Sequence, residues 1–141
     1  MNHNPDESQS EIFYRSVSVD ELIAIRQAGG LALMQAELFV TQDLEWVENY
    51  VRRSKAGPYD YILAITTKPG TLDWMLSVGK RHAGSKAAQE EFSFLPILRK
   101  GDRNAVHVKI QDEVVTYGLR AGTIDGFNAR IQKIEIVCAL T

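Results

Sequence analysis

Tyr59-Asp60-Tyr61-Ile62-Leu63-Ala64-Ile65-Thr66-Thr67 decides how the rest of the chain is arranged. Side chains alternate with period two along a strand, so Tyr61, Leu63 and Ile65 fall on one face and Ile62 and Ala64 on the other. Both faces are apolar, which predicts a central strand covered on both sides. Gly57-Pro58 and Pro69-Gly70 break the chain before and after it.

Upstream, Ile12 to Ser18 reads as a strand with Phe13, Arg15 and Val17 on one face. Ser18-Val19-Asp20-Glu21 is a capping box opening a helix with Val19, Leu22, Ile23 and Ile25 on its apolar face, and Gly29-Gly30 stops it. Glu37-Leu38-Phe39-Val40 is a short strand. Thr41-Gln42-Asp43 opens a second helix through Leu44, Trp46, Val47, Tyr50 and Val51. Downstream, Thr71 caps a short helix closed by Gly79, and Lys80 to Glu91 is a polar loop with a helical turn. Strands are predicted at Phe92–Leu98, Val106–Ile110, Val114–Leu119 and Ile134–Leu140, with a turn or short helix over Thr123–Asn128. Helices interleave early and strands crowd late. This predicts a single α+β domain over residues 11–141, its mixed sheet split into two packed halves with a cleft between them. Residues 1–10 read as a disordered polar leader.

The 141 residues suit one core. A formal net charge of −2 argues against broad nucleic-acid binding, although a local basic patch remains open. Cys138 is the single cysteine, so no intrachain disulfide forms and multi-cysteine zinc sites are excluded. No apolar run reaches membrane-spanning length and no signal peptide is seen, so the chain is expected in the cytoplasm, with delivery as a secreted effector or toxin domain left open.

Arg15 shares its face with two apolar residues, and a guanidinium there needs an anion or a wet cleft. Gln111 and Glu113 share a face late in the chain. Taken in order, Tyr14-Arg15-Ser16, then Phe39-Val40-Thr41 before an amphipathic helix, then Gln111-Asp112-Glu113 resemble the small bacterial ADP-ribosyltransferase toxin and effector domains. The order and spacing match from Glu11 onward, although the family commonly has Ser-Thr-Ser where this chain has Phe39-Val40-Thr41. The resemblance implies an ADP-ribosyltransferase-like fold that cleaves NAD+ without a metal and passes ADP-ribose to a protein or RNA acceptor. Glu113 would stabilise the cation developing on the ribose and Gln111 would orient the attacking group. Arg15 and Ser16 would hold the NAD+, Thr41 would brace Glu113, and Tyr14 or Tyr61 would stack on nicotinamide. Glu113 is then expected in a cleft near Arg15, with Glu135 as the other candidate acid. An immunity or antitoxin protein would be the partner.

Plainer readings stand beside these. Arg15 also suits an ion pair with a nearby acid, Thr41 a helix N-cap, and Asp112-Glu113 a hairpin turn. Two alternatives follow. His82, His107 and nearby lysines are the kit of a metal-independent ribonuclease, with the imidazoles expected roughly 6–8 Å apart about one phosphate. A non-enzymatic binding module would instead expose Trp46 and Trp74.

Overall fold

The computed structural model describes residues 9–54 and 59–140. Most of the polar leader, with His3, and the Gly57-Pro58 breaker lie outside the described residues. The element order is β1 (Glu11–Val17), α1 (Val19–Ala28), β2 (Glu37–Val40), α2 (Leu44–Arg53), β3 (Tyr61–Thr67), α3 (Thr71–Ser77) and β4 (Gly79–Arg81). Then come α4 (Lys86–Glu91), β5 (Val106–Gln111), β6 (Val114–Arg120), a 3-10 turn (Ala121–Thr123), α5 (Ile124–Asn128) and β7 (Ile131–Ala139). The strands form two sheets, β1-β3-β7 and β2-β6-β5-β4. The domain is α+β as the sequence predicts.

The apolar run at 61–67 is the middle strand of the first sheet, antiparallel to β1 and β7, and Ile62 to Thr67 are all buried. Phe13, Leu63 and Ile65 from this sheet meet Leu38, Val40, Val106, Val108, Tyr117 and Leu119 from the second in one core. A smaller cluster forms where Trp46 and Val47 of α2 pack on Ile62, with Cys138 partly buried against it.

Local chemistry sets the helix ends. Ser18 Oγ accepts from the Glu21 N–H at 3.1 Å, and Gly29 closes α1 with φ 73°, which a residue without Cβ adopts freely. The Glu21 side chain turns away from the cap. Its carboxylate accepts two hydrogen bonds from Arg15, from Nε at 2.7 Å and from Nη2 at 2.9 Å. Arg15 Nη1 donates to the Phe39 carbonyl at 2.9 Å, so one buried guanidinium fastens β1 to both α1 and β2. Removing one partner of such a pair leaves a buried charge uncompensated. Arg15→Ala is therefore expected to cost about 3–5 kcal/mol, read as a lower urea midpoint, while Arg15→Met combined with Glu21→Leu should recover most of it.

Four local expectations are corrected. Phe92–Leu98 is not a strand: only Ile97 makes a bridge, to Arg81, and the apolar residues there anchor a coil. Gly79–Arg81 is instead a strand, parallel to β5. The N-cap of α2 is Asp43, whose carboxylate accepts from the Trp46 N–H at 2.9 Å, in place of Thr41. Thr71 does not cap α3, since Gly70 holds that position. Among the described residues no helix is long and apolar enough to cross a membrane.

Candidate functional site

The polar face of the second sheet carries the site. Antiparallel register sets Glu37 of β2 opposite Arg120 of β6, and both Phe39 and His107 opposite Gly118 of β6, with Lys109 opposite Thr116. Lys80 of β4 lies in register with His107, and His82 follows two residues on. Val106 and Val108 point the other way, into the core.

Gly118 makes the site possible. Glu37 and His107 lie on strands separated by β6, and the Glu37 carboxylate reaches across β6 over the bare backbone of Gly118. A Cβ there would sit 2.8 Å from Glu37 Cδ. The carboxylate collects three donors: His107 Nδ1 at 3.1 Å, Lys109 Nζ at 3.0 Å and Arg120 Nε at 3.2 Å. Burial pushes the Glu37 carboxyl upward, but the hydrogen bonds and charges of His107 and Lys109 outweigh it and hold the group down at about 2.

The other nitrogen of His107, Nε2, lies 2.9 Å from His82 Nδ1. With both rings neutral, these contacts order the protons: ionised Glu37 accepts Nδ1–H of His107, the Nε2 lone pair of His107 accepts Nδ1–H of His82, and His82 Nε2 keeps its lone pair. Gly84 lies beside that nitrogen, with a Cβ there falling 3.5 Å from it. Burial, then the charges of His107 and Lys109, lower the His82 pKa below its ordinary 6.5. His107 is buried and His82 partly so. The arrangement is a buried carboxylate–imidazole pair backing a second, more accessible imidazole that is neutral at pH 7. Such an imidazole can take a proton from a hydroxyl or water.

Basic residues are concentrated in this part of the sequence. Eight of the 16 lysines and arginines fall between residues 80 and 120 against five of the 18 acids, so this segment is net positive while the chain is net negative. Arg120 Nη1 donates to the Asp102 carbonyl at 2.9 Å and Lys80 Nζ pairs with Asp102 at 3.1 Å, which fixes the loop bearing Arg99, Lys100 and Arg103 beside the histidines.

Because the folded-state pKa of Glu37 lies below its ordinary value of 4.5, the folded protein holds fewer protons between those limits. The stability Glu37 contributes is complete above about pH 4.5 and lost as pH falls toward 2. We expect on the order of 2 kcal/mol to disappear across that window in urea titrations, and Glu37→Gln to flatten the dependence.

The residues expected to form an NAD-cleaving site are not all brought together. Glu113 is a correction: it sits at the tip of the β5–β6 hairpin, exposed, and not in a cleft near Arg15. Asp112 and Glu113 have φ of 51° and 67°, the two positive values of a tight primed turn, so strand parity ends at Gln111. The tip is tied to α2 by Asp112, which accepts from Arg53 at 2.6 Å. Gln111 is exposed, its Oε1 accepting from Thr116 Oγ1 at 3.1 Å. Arg15 is buried in its bond with Glu21. Thr41 does not brace Glu113; its hydroxyl donates to the Val115 carbonyl at 2.8 Å. Ser16 is buried with Oγ unbonded, Tyr14 packs on the smaller cluster and Tyr61 on the main core. Glu135 is exposed on β7 beside Lys133. Thr41 and Glu113 do line one surface depression of about 510 Å³.

The histidines lie closer than the spacing expected for two imidazoles flanking a phosphate, with ring centroids 5.0 Å apart and a direct hydrogen bond. They form one chain, not two opposed groups. Glu37 was missed from sequence. Its signal is faint: an acid on the polar face of a short strand, and a glycine in β6 with no turn to explain it. Trp46 is buried and Trp74 partly buried. Among the described residues no group of three or more His, Cys, Asp and Glu side chains is disposed to hold a metal ion.

A family model described as PT3 toxin domain matches residues 9–136, nearly the whole chain. No curated protein matches it.

Proposed function

The chain belongs to the PT3 toxin domain family, and we propose that it exerts its toxicity by cleaving RNA through the Glu37–His107–His82 chain. The observation that carries this reading is the 2.9 Å contact between His82 Nδ1 and His107 Nε2, backed by ionised Glu37. His82 Nε2 takes the proton of a ribose 2′-hydroxyl, and the oxygen attacks the adjacent phosphorus. The O2′–P bond forms as the P–O5′ bond breaks, leaving a 2′,3′-cyclic phosphate. The departing 5′-oxygen takes a proton from solvent. His107 and Glu37 stabilise the imidazolium that forms on His82, and Lys80 and the neighbouring basic loop offset the charge gathering on the phosphoryl oxygens. RNA supplies the polyanion that a locally basic face on an acidic chain would select.

The test is incubation of the purified protein with RNA and with the same sequence as DNA, each with and without EDTA. Cleavage of RNA alone, unaffected by EDTA and ending in cyclic phosphate, supports the reading. Intact RNA, or equal cutting of DNA, overturns it.

A second reading, an NAD-dependent ADP-ribosyltransferase, draws support from the depression shared by Thr41 and Glu113. It requires Arg15 to leave Glu21, or another cation to hold the phosphates. Labelled NAD+ with cell extract, scored separately for transfer to protein and to RNA, tests it. Release of nicotinamide by a protein that leaves RNA intact would favour this second reading over the first.

A further inference from the structure

Phe94 is 69% exposed, the largest exposure among the large hydrophobic residues described. Two apolar residues beside it do not share that exposure. Phe92 and Leu95 are 8% and 7% exposed and anchor the segment in the core. The backbone on either side is fixed: the Leu95 N–H donates to the Phe92 carbonyl at 2.9 Å, the Arg81 N–H to the Pro96 carbonyl at 2.8 Å, and the Leu98 N–H to the Arg81 carbonyl at 2.9 Å. An aromatic ring is thus held in water on a rigid mount attached to β4, the strand that leads into His82.

A cavity of about 520 Å³ lies under it, lined by Ser77, Lys80, Phe94, Leu95, Pro96 and Asn104 among others. Lys80 belongs both to this cavity and to the polar face of the second sheet, where it neighbours His107 in register. One strand residue, Arg81, separates Lys80 from His82, a span of about 7 Å. The cavity therefore begins about one residue pair along the sheet from the proposed base. It offers an aromatic face, the side chain of Asn104, whose Oδ1 packs against Gly122, and the ammonium of Lys80, which pairs with Asp102 at 3.1 Å.

We propose that this cavity is a nucleobase subsite for single-stranded RNA: Phe94 stacks on the base next to the scissile phosphate, Asn104 meets the base edge, and Lys80 contacts the backbone. The proposal rests on the ribonuclease reading and adds a strand requirement to it. A paired base has both faces covered and cannot lie on Phe94, so a duplex is excluded. The fixed mount means that little ordering is needed on binding.

The experiment separates the subsite from the chemistry. Fluorescence anisotropy with a labelled 2′-deoxy oligonucleotide, which lacks the attacking hydroxyl, reports binding alone. Wild-type protein is expected to bind the single strand more tightly than its duplex. Phe94→Ala should weaken single-strand binding by about 5-fold to 100-fold, the effect of losing one stacked base. Phe94→Trp should retain affinity and show quenched indole emission on binding relative to wild type. Because Phe94 is exposed, both variants are expected to keep the wild-type circular dichroism spectrum. Equal affinity of wild type and Phe94→Ala, or preference for the duplex, overturns the subsite. If RNA is cleaved with the same KM by Phe94→Ala, the subsite fails and the ribonuclease reading stands. If no RNA is cleaved but the deoxy strand binds through Phe94, the chemistry fails and the subsite stands.

Discussion

His82→Ala is expected to lower RNA cleavage by about 10²- to 10⁴-fold without unfolding the protein. His82 is only partly buried, and its loss removes the outer imidazole that would take the proton while Glu37 and His107 remain paired. Initial rates on a short RNA, beside an unchanged urea midpoint, measure it. The wild-type pH profile gives an independent reading. Burial and the neighbouring cations lower the His82 pKa, so the acid limb of kcat/KM should fall at a pH below the ordinary imidazole value of 6.5. At pH 7 the base is then already neutral, and raising the pH further should gain little. A variant with full activity, or an acid limb at or above 6.5, would remove His82 from the mechanism.

Gly118→Ala should also be damaging, although Gly118 touches no substrate. The added Cβ would lie 2.8 Å from Glu37 Cδ and 2.9 Å from Oε2, contacts that real structures do not tolerate. The carboxylate must swing aside and lose His107. That frees the His107 ring to change tautomer, so the proton order along the chain is no longer fixed. We expect a fall in kcat of about 10- to 100-fold with KM little changed. Glu37→Gln should give a similar fall, and the double variant should be no worse than either single one, because both break the same contact. The Nδ1 proton of His107, observed by NMR, should be displaced in both variants. Strongly additive losses would mean that Gly118 acts on something other than Glu37.

Much of the architecture was readable because burial leaves local marks. The two-faced run Tyr61–Thr67, the Ser18 cap, the Gly29 stop and the clean alternation Val106–Ile110 each state their own environment. β4 left no such mark. It is three residues, Gly79-Lys80-Arg81, held by parallel pairing to a strand far along the chain, and nothing apolar alternates within it. Phe92–Leu98 misled for the opposite reason, since apolar residues at close spacing also serve to pin a coil to a core. The Gln111-x-Glu113 parity failed at the turn, because two residues with positive φ reverse the chain before a third strand position exists. The histidine site was half legible. His107 and Lys109 announce a polar face, but only the strand order β2-β6-β5-β4 brings residue 37 to residue 107 and residue 107 to residue 82. No local pattern encodes that.

The Asp112-Glu113 turn has one more effect, on how the chain finds this arrangement. β1 pairs with β3, β3 with β7, and β2 with β6, each joining segments dozens of residues apart. The β5–β6 hairpin is the exception among the described pairings, its strands joined directly by the two-residue Asp112-Glu113 turn. A chain dominated by distant pairings folds slowly, over milliseconds to seconds, because the entropy of closing long loops is spent before contacts repay it. The hairpin is the one piece of sheet able to form early, on a microsecond scale. It presents both free edges of a growing sheet, one for β2 and one for β4, and those are the strands that carry Glu37 and lead into His82. The turn thus serves as the seed from which the distant parts of the site are recruited.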